Sequence, residues 1–584
     1  MITIIWQILS SGLQVLRTDY PILLILVLTS ILPFGLWVAL MLYRFCSVHD
    51  AAILFSSGLC GGLIFDALIS LVLLIVFPGA WLKEVFLVAA ILVWIIDIIL
   101  CIRWHFLPKG SLAVYGLILL FLFLVILRLA FISGLFLPLY TDSIQHYAII
   151  QDLVTDRQPP ENHYNLSAFP HVYYHYGYHS LSARLIVLGA FDAARSMLVL
   201  GQIFLTVAAV GLYFPVALLT RSRLAAFITV FLSGLLWVMP AYAINWGKYP
   251  ALAAMAAFPF VIGSFVLFLQ PGYLKARWLI GVLVALGSLG CLMIHTRITI
   301  IFMIVGIAYG ISNIVFKKNY LPLAVLFGIG ILLSVLNLSG FIQIGEGFEI
   351  YWRYGFEPLL IALLGSILCY LKYPHLAFTV LLVITLALGA WILPLPSVFA
   401  GFHGLLDRPF FQISLFIPLS ILTGSGLAAL INCLRPNWLK VILTTVMCVG
   451  LLFFAPLAQT TSPSSCCQLA GSDDLFVYQW LENQALSEDR ILIAAYQSPF
   501  RLIESDGGAW VEALTLRSTE KIVNTIDFSS PDQQKALCAA GINYVYAGSS
   551  PYSFDRSALA AQPDIYVPEI QLPQVSLYRL NCDE

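Results

Sequence analysis

Blocks of about 20 apolar residues, separated by short polar loops, fill the chain as far as residue 457. A helix needs about 20 apolar residues to cross a bilayer, because the hydrocarbon core is roughly 30 Å thick. The pattern predicts about fourteen spans, near 21–43, 51–77, 85–102, 111–135, 196–219, 224–244, 251–269, 278–294, 298–315, 321–343, 358–371, 376–397, 411–432 and 438–457. We therefore expect a mostly α, polytopic helical membrane domain over residues 1–459.

Two further apolar segments do not fit the spanning pattern. The opening stretch MITIIWQILSSGLQVLRTDY has neither a basic start nor a small-residue cleavage site, which is not the pattern of a removable signal peptide. It predicts an interfacial or partly inserted amphipathic segment. The stretch HSLSARLIVLGAF (179–191) is too short to span, and we expect it to lie in the membrane interface.

The pattern changes at about residue 460. The linker TSPSSCCQLAGSDD is followed by apolar residues at helical spacing (Leu475, Val477, Trp480 and Leu481) and by the short buried-strand pattern ILIAAY. Helix, glycine turn and strand recur over 535–548, and VSLYRL has the pattern of a closing strand. This alternation predicts a small α/β domain over residues 460–584.

Composition supports a membrane protein and excludes one class of partner. The chain is 61% hydrophobic and 10% charged, whereas a soluble protein carries roughly 25% charged residues. Lipid must therefore solvate most of it. The net charge is −1 and there is no dense basic patch, so we expect no nucleic acid among its partners.

The basic residues of the short loops predict an orientation. One set of alternate loops carries Arg and Lys with almost no acid, at Arg44, Arg103, Lys109, Arg221, Arg223, Lys275, Arg277, Lys317, Lys318, Lys372, Arg435 and Lys440. Cytoplasmic loops have this bias. The other set holds the loop 136–178, the loops at 245–250, 295–297, 345–357 and 401–408, and the C-terminal part. We therefore expect a multi-pass protein of the plasma (inner) membrane, with these loops and the C-terminal domain extracytoplasmic.

The large loop 136–178 holds the densest candidate chemistry. Asp142 and His146 share one face of a predicted helix at i, i+4 spacing; they are either a helix cap beside a surface histidine or a chemical pair. His171, His175 and His179 are four residues apart. If the segment is helical they line one side, where they could bind a metal, or hydrogen-bond a sugar or phosphate.

Aromatic and basic residues extend the candidate site. Tyr174 and Tyr176 are either interfacial belt residues or part of a site for an amphiphilic ligand. Lys248, Arg297, Arg353 and Arg408 each lie at the predicted outer end of a span, where positive charge is disfavoured, so each is paired with a local acid or binds an anion. Spacing to Glu349 and Glu357 favours an ion pair for Arg353; for Arg297 and Arg408 we favour the anionic ligand.

Three ionisable residues, Asp66, Asp97 and Arg128, fall inside predicted spans. They either pair with one another to hold the first helices together or serve a function. Four cysteines, Cys466, Cys467, Cys538 and Cys582, fall in the polar C-terminal part. A disulfide is expected there if that part faces an oxidising compartment, and the sequence leaves the pairing open.

This layout resembles the glycosyltransferase C superfamily of polytopic membrane enzymes, which use polyprenyl-phosphate-linked sugars. The resemblance covers the many spans, an acid in a large loop (TDSIQH) and a C-terminal soluble domain. It also covers phrases similar to those of bacterial members: VYQWLENQALSEDRILIA, DGGAWVEALTLRST, AAGINYVYAG and RPFFQISLFIPLSILTGSGLAAL. Two departures are the single acid of TDSIQH and the four spans that precede the loop.

The resemblance implies an inverting transfer of a hexosyl or pentosyl group from a lipid-linked donor to a glycan, lipid or protein acceptor. It implies that Asp142 is the general base or a metal contact, with His146 as a second catalytic candidate. His171, Tyr174, His175, Tyr176, His179, Lys248, Arg297 and Arg408 are the substrate-binding candidates. The cofactor is none, or a divalent metal (Mg²⁺ or Mn²⁺) at Asp142 and His146. The alternative function is a transporter or flippase for lipid-linked sugars or another amphiphile.

Overall fold

The computed structural model describes residues 2–77, 81–155, 175–316, 344–353, 355–392, 406–458, 461–498 and 502–582. The first half of the helical part contains α1 Ile2–Thr18, α2 Tyr20–Leu26, α3 Leu32–Phe45, α4 Ala51–Val76, α5 Leu82–Arg103, α6 Leu112–Leu129, α7 Thr141–Thr155, α8 Gly177–Gly189, α9 Ala193–Gly211 and α10 Tyr213–Thr220. The second half contains α11 Arg223–Leu235, α12 Tyr249–Leu269, α13 Arg277–Ile294, α14 Arg297–Val315, α15 Ile344–Trp352, α16 Glu357–Lys372, α17 Pro374–Ile392, α18 Arg408–Ser414, α19 Phe416–Cys433 and α20 Asn437–Ala458.

Ten helical stretches within the described ranges are long and apolar enough to cross a membrane. They are Tyr20–Phe45, Ala51–Val76, Leu82–Arg103, Leu112–Ile132, Ala193–Thr220, Tyr249–Leu269, Arg277–Ile294, Arg297–Val315, Pro374–Ile392 and Arg408–Cys433. A bent pair, Gly345–Trp352 with Glu357–Lys372, would add an eleventh, and Arg223–Leu235 and Asn437–Phe453 are shorter apolar helices. The span predicted at 321–343 lies outside the described residues. The chain is a multi-pass membrane protein.

Small residues let several of these helices approach closely. Gly35 and Gly58 face each other between α3 and α4, where an added Cβ would meet the opposite carbonyl oxygen at 2.9 or 2.8 Å. Gly426 of α19 lies against the backbone of Gly365 in α16. Lipid gives helices no hydrophobic reason to associate, so close van der Waals packing at small residues must hold them together.

Of the two alternatives for Asp66, Asp97 and Arg128, mutual pairing is not what the described residues show. Asp66 instead forms a buried ion pair with Arg184 of α8 and accepts a hydrogen bond from Ser30. Arg128 donates to the carbonyl of Gly234 at 2.8 Å, and Asp97 is buried, with no hydrogen-bond partner among the described residues. The sequence does not predict this partner of Asp66, because Arg184 lies 118 positions away.

Helix α8 also departs from its prediction as an interfacial segment. Every residue from Gly177 to Ile186 is buried, and the helix packs against α4, α7 and α9. Its polar side chains find partners inside the bundle: Ser180 donates to the carbonyl of Ala67 at 3.2 Å. The pairing of Arg184 with Asp66 is what makes this burial tolerable for a charged helix.

The C-terminal part is an α/β domain, as predicted. Its helices are α21 Ser472–Gln484, α22 Val511–Thr515, α23 Pro531–Ala539 and α24 Arg556–Ala560. Its strands are β1 Arg490–Gln497, β2 Leu502–Glu504, β3 Ser518–Val523, β4 Ile542–Ala547, β5 Tyr566–Gln571 and β6 Ser576–Leu580. They form one sheet in the order β2-β1-β4-β6-β5; β1 runs parallel to β3 and β4, and the other pairings are antiparallel.

The four cysteines of this part form two disulfides, Cys466–Cys467 and Cys538–Cys582. The second joins α23 to the residue two positions beyond β6. The expected disulfide is therefore present. The pairing that the sequence left open joins two adjacent cysteines in one bond and two cysteines 44 positions apart in the other.

Replacing Gly426 by Ala should lower the melting temperature, because the new Cβ would overlap a backbone carbonyl that no rotamer change can move. Overpacking of this kind costs about 1–3 kcal/mol. Thermal unfolding of the purified protein in detergent measures the effect. Gly306→Ala is the matched control, since its added Cβ meets no atom within 4 Å; equal melting temperatures for the two variants would contradict close packing of α16 and α19.

Candidate functional site

A cavity of about 150 Å³ lies where the start of α7 meets the segments that precede α12, α14 and α18. Its lining is mostly polar or aromatic. The lining residues are Asp142, Gln145, His146, His175, Lys248, Pro250, Ala251, His295, Arg297, Asp407, Pro409, Phe410 and Ile413. Five chain segments far apart in sequence therefore contribute to one polar site at one end of the helical bundle.

Asp142 and Lys248 form an ion pair at this cavity, and neither residue is deeply buried. Asp142 lies in the first turn of α7, while Lys248 immediately precedes α12. Gly247 makes the approach possible: its φ of +64° suits glycine, and an added Cβ would lie 2.9 Å from the backbone nitrogen of Ser143. The pair joins the large loop to the start of α12.

A second ion pair faces the same cavity. Nη1 of Arg297 donates to Oδ2 of Asp407 at 2.6 Å. The other oxygen of Asp407 caps α18 by accepting from the backbone N–H of Phe410 at 2.9 Å. Both side chains are about one-third exposed, so the guanidinium is held by its acid yet remains within reach of a ligand in the cavity.

Four histidines converge behind these ion pairs. Nδ1 of His146 lies 3.1 Å from Nε2 of His179, and the rings of His175 and His295 are 4.7 Å apart. His295 also stacks on Phe410, with ring centroids 4.9 Å apart. His146, His175 and His295 line the cavity, while His179 supports His146 from behind.

The histidines of this cluster are uncharged near neutral pH. Burial lowers the pKa of His146 to about 3, with His175 and Lys248 adding to the effect. Burial and Arg297 lower the pKa of His175 to about 4. The pKa values of His179 and His295 fall well below the ordinary value, again mainly through burial. A neutral imidazole offers one donor and one acceptor, which suits the hydroxyl groups of a polyol.

A divalent metal at Asp142 and His146 would need further ligands close to these two side chains. Across the described ranges, no group of three or more His, Cys, Asp or Glu side chains is arranged to hold a metal ion. Asp142 and His146 alone supply two ligands, and the four histidines contact one another in two pairs, His146 with His179 and His175 with His295. The residues described do not fit a resident metal, so no step is routed through one.

The structure brings together only part of the predicted set. Asp142, His146, His175, Lys248 and Arg297 line the cavity. Tyr176 and His179 lie in the layer behind, with ring centroids 6.1 Å apart. His171 and Tyr174 lie outside the described residues.

Arg408 does not line the cavity. Its guanidinium donates to Glu346 at 2.9 Å and to Glu349 at 2.7 Å, so it is paired with two acids. Arg353 donates to the hydroxyl of Tyr242 at 2.7 Å and lies over its ring. The acid Glu349, predicted to pair with Arg353, thus contacts Arg408.

Sequence reasoning did not select His295, Asp407, Gln145 or Phe410. His295 lies two positions before Arg297 in a loop whose orientation was predicted, and that adjacency is the signal that could have found it. Asp407 adjoins Arg408 in the sequence and is not among the predicted site residues. Its contact with Arg297 spans 110 positions and has no local signature.

A larger apolar cavity, of about 510 Å³, lies on the other side of α18. Phe410 and Ile413 line the polar cavity, and Phe411 and Ser414 line the apolar one. Helices α12, α14, α17 and α19 supply most of its remaining wall. A polar and an apolar compartment are thus separated by a single helix.

No family model matches the chain, and no curated protein matches it. Similar solved structures include the oligosaccharyltransferase of Archaeoglobus fulgidus in complex with Zn and sulfate, with 14% identity, a TM-score of 0.42, and coverage of 74% of this chain and 68% of that one. The same enzyme tethered to an acceptor peptide with the NVT sequon has 13% identity and a TM-score of 0.40, and the match covers 75% of this chain and 69% of that one. Its apo form has 14% identity and a TM-score of 0.41, with coverage of 75% of this chain and 70% of that one. With such values, function has to be inferred from the site residues.

Acidification from pH 7.5 to 5.5 should loosen α7 and α8 around His146 and His179. Below about 6.5 an unfolded histidine takes up a proton, whereas the folded-state pKa is depressed, so stability present above pH 6.5 is lost as the pH falls. Each group contributes up to about 1.4 kcal/mol per pH unit. Hydrogen exchange of 141–155 and 177–189, corrected for its intrinsic pH dependence, measures the loss.

The matched variants are His146→Gln, which removes one titrating member of the cluster, and His105→Asn, which alters an exposed histidine elsewhere. The first should flatten the pH dependence of exchange and the second should leave it unchanged. The same slope in both variants would contradict a buried, uncharged histidine cluster.

Proposed function

We propose that the protein is a membrane glycosyltransferase that moves a sugar from a polyprenyl-phosphate-linked donor to an acceptor hydroxyl or amide, with inversion. The observation that carries the proposal is the lining of one small cavity by a carboxylate, Asp142, and two cations, Lys248 and Arg297. A base for the acceptor and positive charge for a departing phosphate are the two electrostatic requirements of this reaction.

The bond changes assign a role to each group. The acceptor atom attacks the anomeric carbon and its proton passes to the Asp142 carboxylate. The bond from that carbon to the phosphate oxygen breaks, and its electron pair leaves with the polyprenyl phosphate. Lys248 and Arg297 stabilise the charge that develops there. Attack opposite to the leaving group gives inversion in one displacement.

Donor binding changes the partners of both cations. Lys248 is paired with Asp142, and Arg297 with Asp407. A phosphate that enters between them draws the ammonium away from Asp142 and leaves its carboxylate free to accept a proton. The guanidinium of Arg297 can bind two phosphate oxygens as a fork while Asp407 keeps its place as the cap of α18.

The neutral histidines and the apolar cavity account for the rest of the donor. His146, His175 and His295 offer donors and acceptors to sugar hydroxyls without competing for the phosphate, since they carry no charge. The apolar cavity beyond α18 receives the first isoprene units. The charged head and the hydrophobic tail of an amphiphilic donor thus each have a compartment of matching polarity.

The proposed orientation places the site and the C-terminal domain on the extracytoplasmic face of the plasma membrane. In its support, three arginine- and lysine-bearing loops meet at one place: Asp50 pairs with Arg223, and its backbone bridges to Lys109. The Cys538–Cys582 disulfide suits an oxidising compartment. The acceptor is a glycan, lipid or protein on that face.

Replacing Asp142 by Asn should lower the rate of sugar transfer about 10²–10⁴-fold, the usual contribution of a positioned base. Transfer from a radiolabelled polyprenyl-phosphate sugar in purified membranes measures it. Asp152→Asn is the control, because Asp152 lies on the same helix outside the cavity lining. Equal transfer by wild type and the Asp142 variant would remove Asp142 from the mechanism.

Replacing Arg297 by Gln should raise the donor KM and lower kcat/KM by roughly 10–100-fold, because a charge-assisted bond to phosphate is worth about 1.5–3 kcal/mol. Arg297→Lys should recover part of the loss. Arg408→Gln is the matched control, since Arg408 pairs with Glu346 and Glu349 away from the cavity. A loss of donor affinity in the Arg408 variant alone would show that Arg408, and not Arg297, binds the phosphate.

A further inference from the structure

A turn lies between the last helix of the membrane part and the sheet domain. It contacts the two segments that carry Asp142 and Lys248. The backbone N–H of Tyr140 donates to the carbonyl of Cys467 at 2.9 Å. The backbone N–H of Ser464 donates to Oδ1 of Asn245 at 2.8 Å. One turn of four residues therefore hydrogen-bonds to the chain two positions before Asp142 and three positions before Lys248.

Tyr140 and Asn245, the two residues that the turn contacts, are each held in place by further interactions. Tyr140 has a φ of +66°, a conformation that a residue with a side chain adopts at a cost and keeps only when its surroundings hold it. Its own carbonyl accepts from the N–H of Ser143 at 3.2 Å and so starts α7. Asn245 is fully buried and also donates to the carbonyl of Tyr242 at 3.3 Å. Movement of the turn would therefore be passed directly to both members of the ion pair.

A disulfide between neighbouring cysteines closes this turn. The Cys466–Cys467 bond makes a ring from two side chains and the peptide that joins them. The N–H of Cys467 donates to the carbonyl of Ser464 at 3.0 Å, which fixes the ring to the rest of the turn. Cys467 is buried whereas Cys466 is exposed, so one sulfur lies against the protein and the other can be reached from solvent.

We propose that the Cys466–Cys467 disulfide is a redox-sensitive positioning element for the Asp142–Lys248 pair. While the ring is closed, the turn presents the Cys467 carbonyl to Tyr140 and the Ser464 N–H to Asn245. A dithiol reductant opens it: the disulfide gains two electrons and two protons and becomes two thiols, and the dithiol is oxidised to its own disulfide. The released turn loses its fixed shape, and α7 and the segment before α12 lose their common anchor.

The second disulfide provides an internal control. Cys538–Cys582 lies in the sheet domain, with one partner in α23 and the other beyond β6, and it does not belong to this turn. In a Cys538→Ser/Cys582→Ser variant of the full chain, dithiothreitol acts on the adjacent pair alone among these four cysteines. A Cys466→Ser/Cys467→Ser variant represents the permanently open turn.

Hydrogen exchange of the full-length protein in detergent tests the positioning without any substrate. Exchange over 139–147 and 243–249 should rise roughly fivefold to tenfold in the open-turn variant, and on adding dithiothreitol to the Cys538→Ser/Cys582→Ser variant, as expected for loss of about one hydrogen bond. Reoxidation should reverse the second effect. Cys538→Ser/Cys582→Ser without reductant should match the wild type over both segments.

Transfer activity gives a second readout, which rests on the proposed function. Opening the turn should lower kcat severalfold, reversibly, with an unchanged melting temperature. Alkylation of both Cys466 and Cys467 before reduction would overturn the proposal, as would unchanged exchange over the two segments or an equal change in the control variant. Absence of transfer by the wild type would count against the glycosyltransferase alone, because the exchange result does not depend on it.

Discussion

The ion pair between Asp142 and Lys248 is the contact on which the organisation of the site depends. It joins α7, which lies within the large loop 136–178, to the start of α12, which belongs to the buried centre of the helical bundle. Gly247 permits the approach, and Tyr140 and Asn245 connect both sides to the turn at 464–467. A carboxylate and an ammonium near a membrane surface are costly to desolvate, and pairing offsets that cost until a ligand competes for one of them.

The same principle operates at two other levels of the structure. Asp66 and Arg184 neutralise each other inside the bundle, which allows α8 to be buried and to support the histidine cluster from behind. Arg297 and Asp407 form a more exposed pair that lines the cavity. The deeper pair stabilises the arrangement of helices, whereas the exposed pairs can exchange partners at little cost. Burial therefore separates structural charges from those available for chemistry.

The C-terminal domain contacts the helix that carries Asp142. Trp510 of the DGGAW phrase packs edge-on against Tyr147 of α7, with ring centroids 5.5 Å apart. Together with the hydrogen bond from Tyr140 to the turn at 464–467, this contact joins the region of α7 to the C-terminal part. The C-terminal part therefore contacts the region of Asp142 at two points, Tyr140 just before α7 and Tyr147 within it.

The sequence by itself determined the membrane class and the C-terminal α/β domain, because hydropathy and composition are local properties. It also indicated five of the residues that line the cavity, because charged side chains such as Asp142, Lys248 and Arg297 are unfavourable at the ends of membrane spans. Only the tertiary structure decided which charges pair. Arg408 meets Glu346 and Glu349, Arg297 meets Asp407, and Asp66 meets Arg184. These partners lie 59 to 118 positions apart. Spacing rules see neighbours within a few residues, whereas charge pairing over such separations depends on how the helices pack.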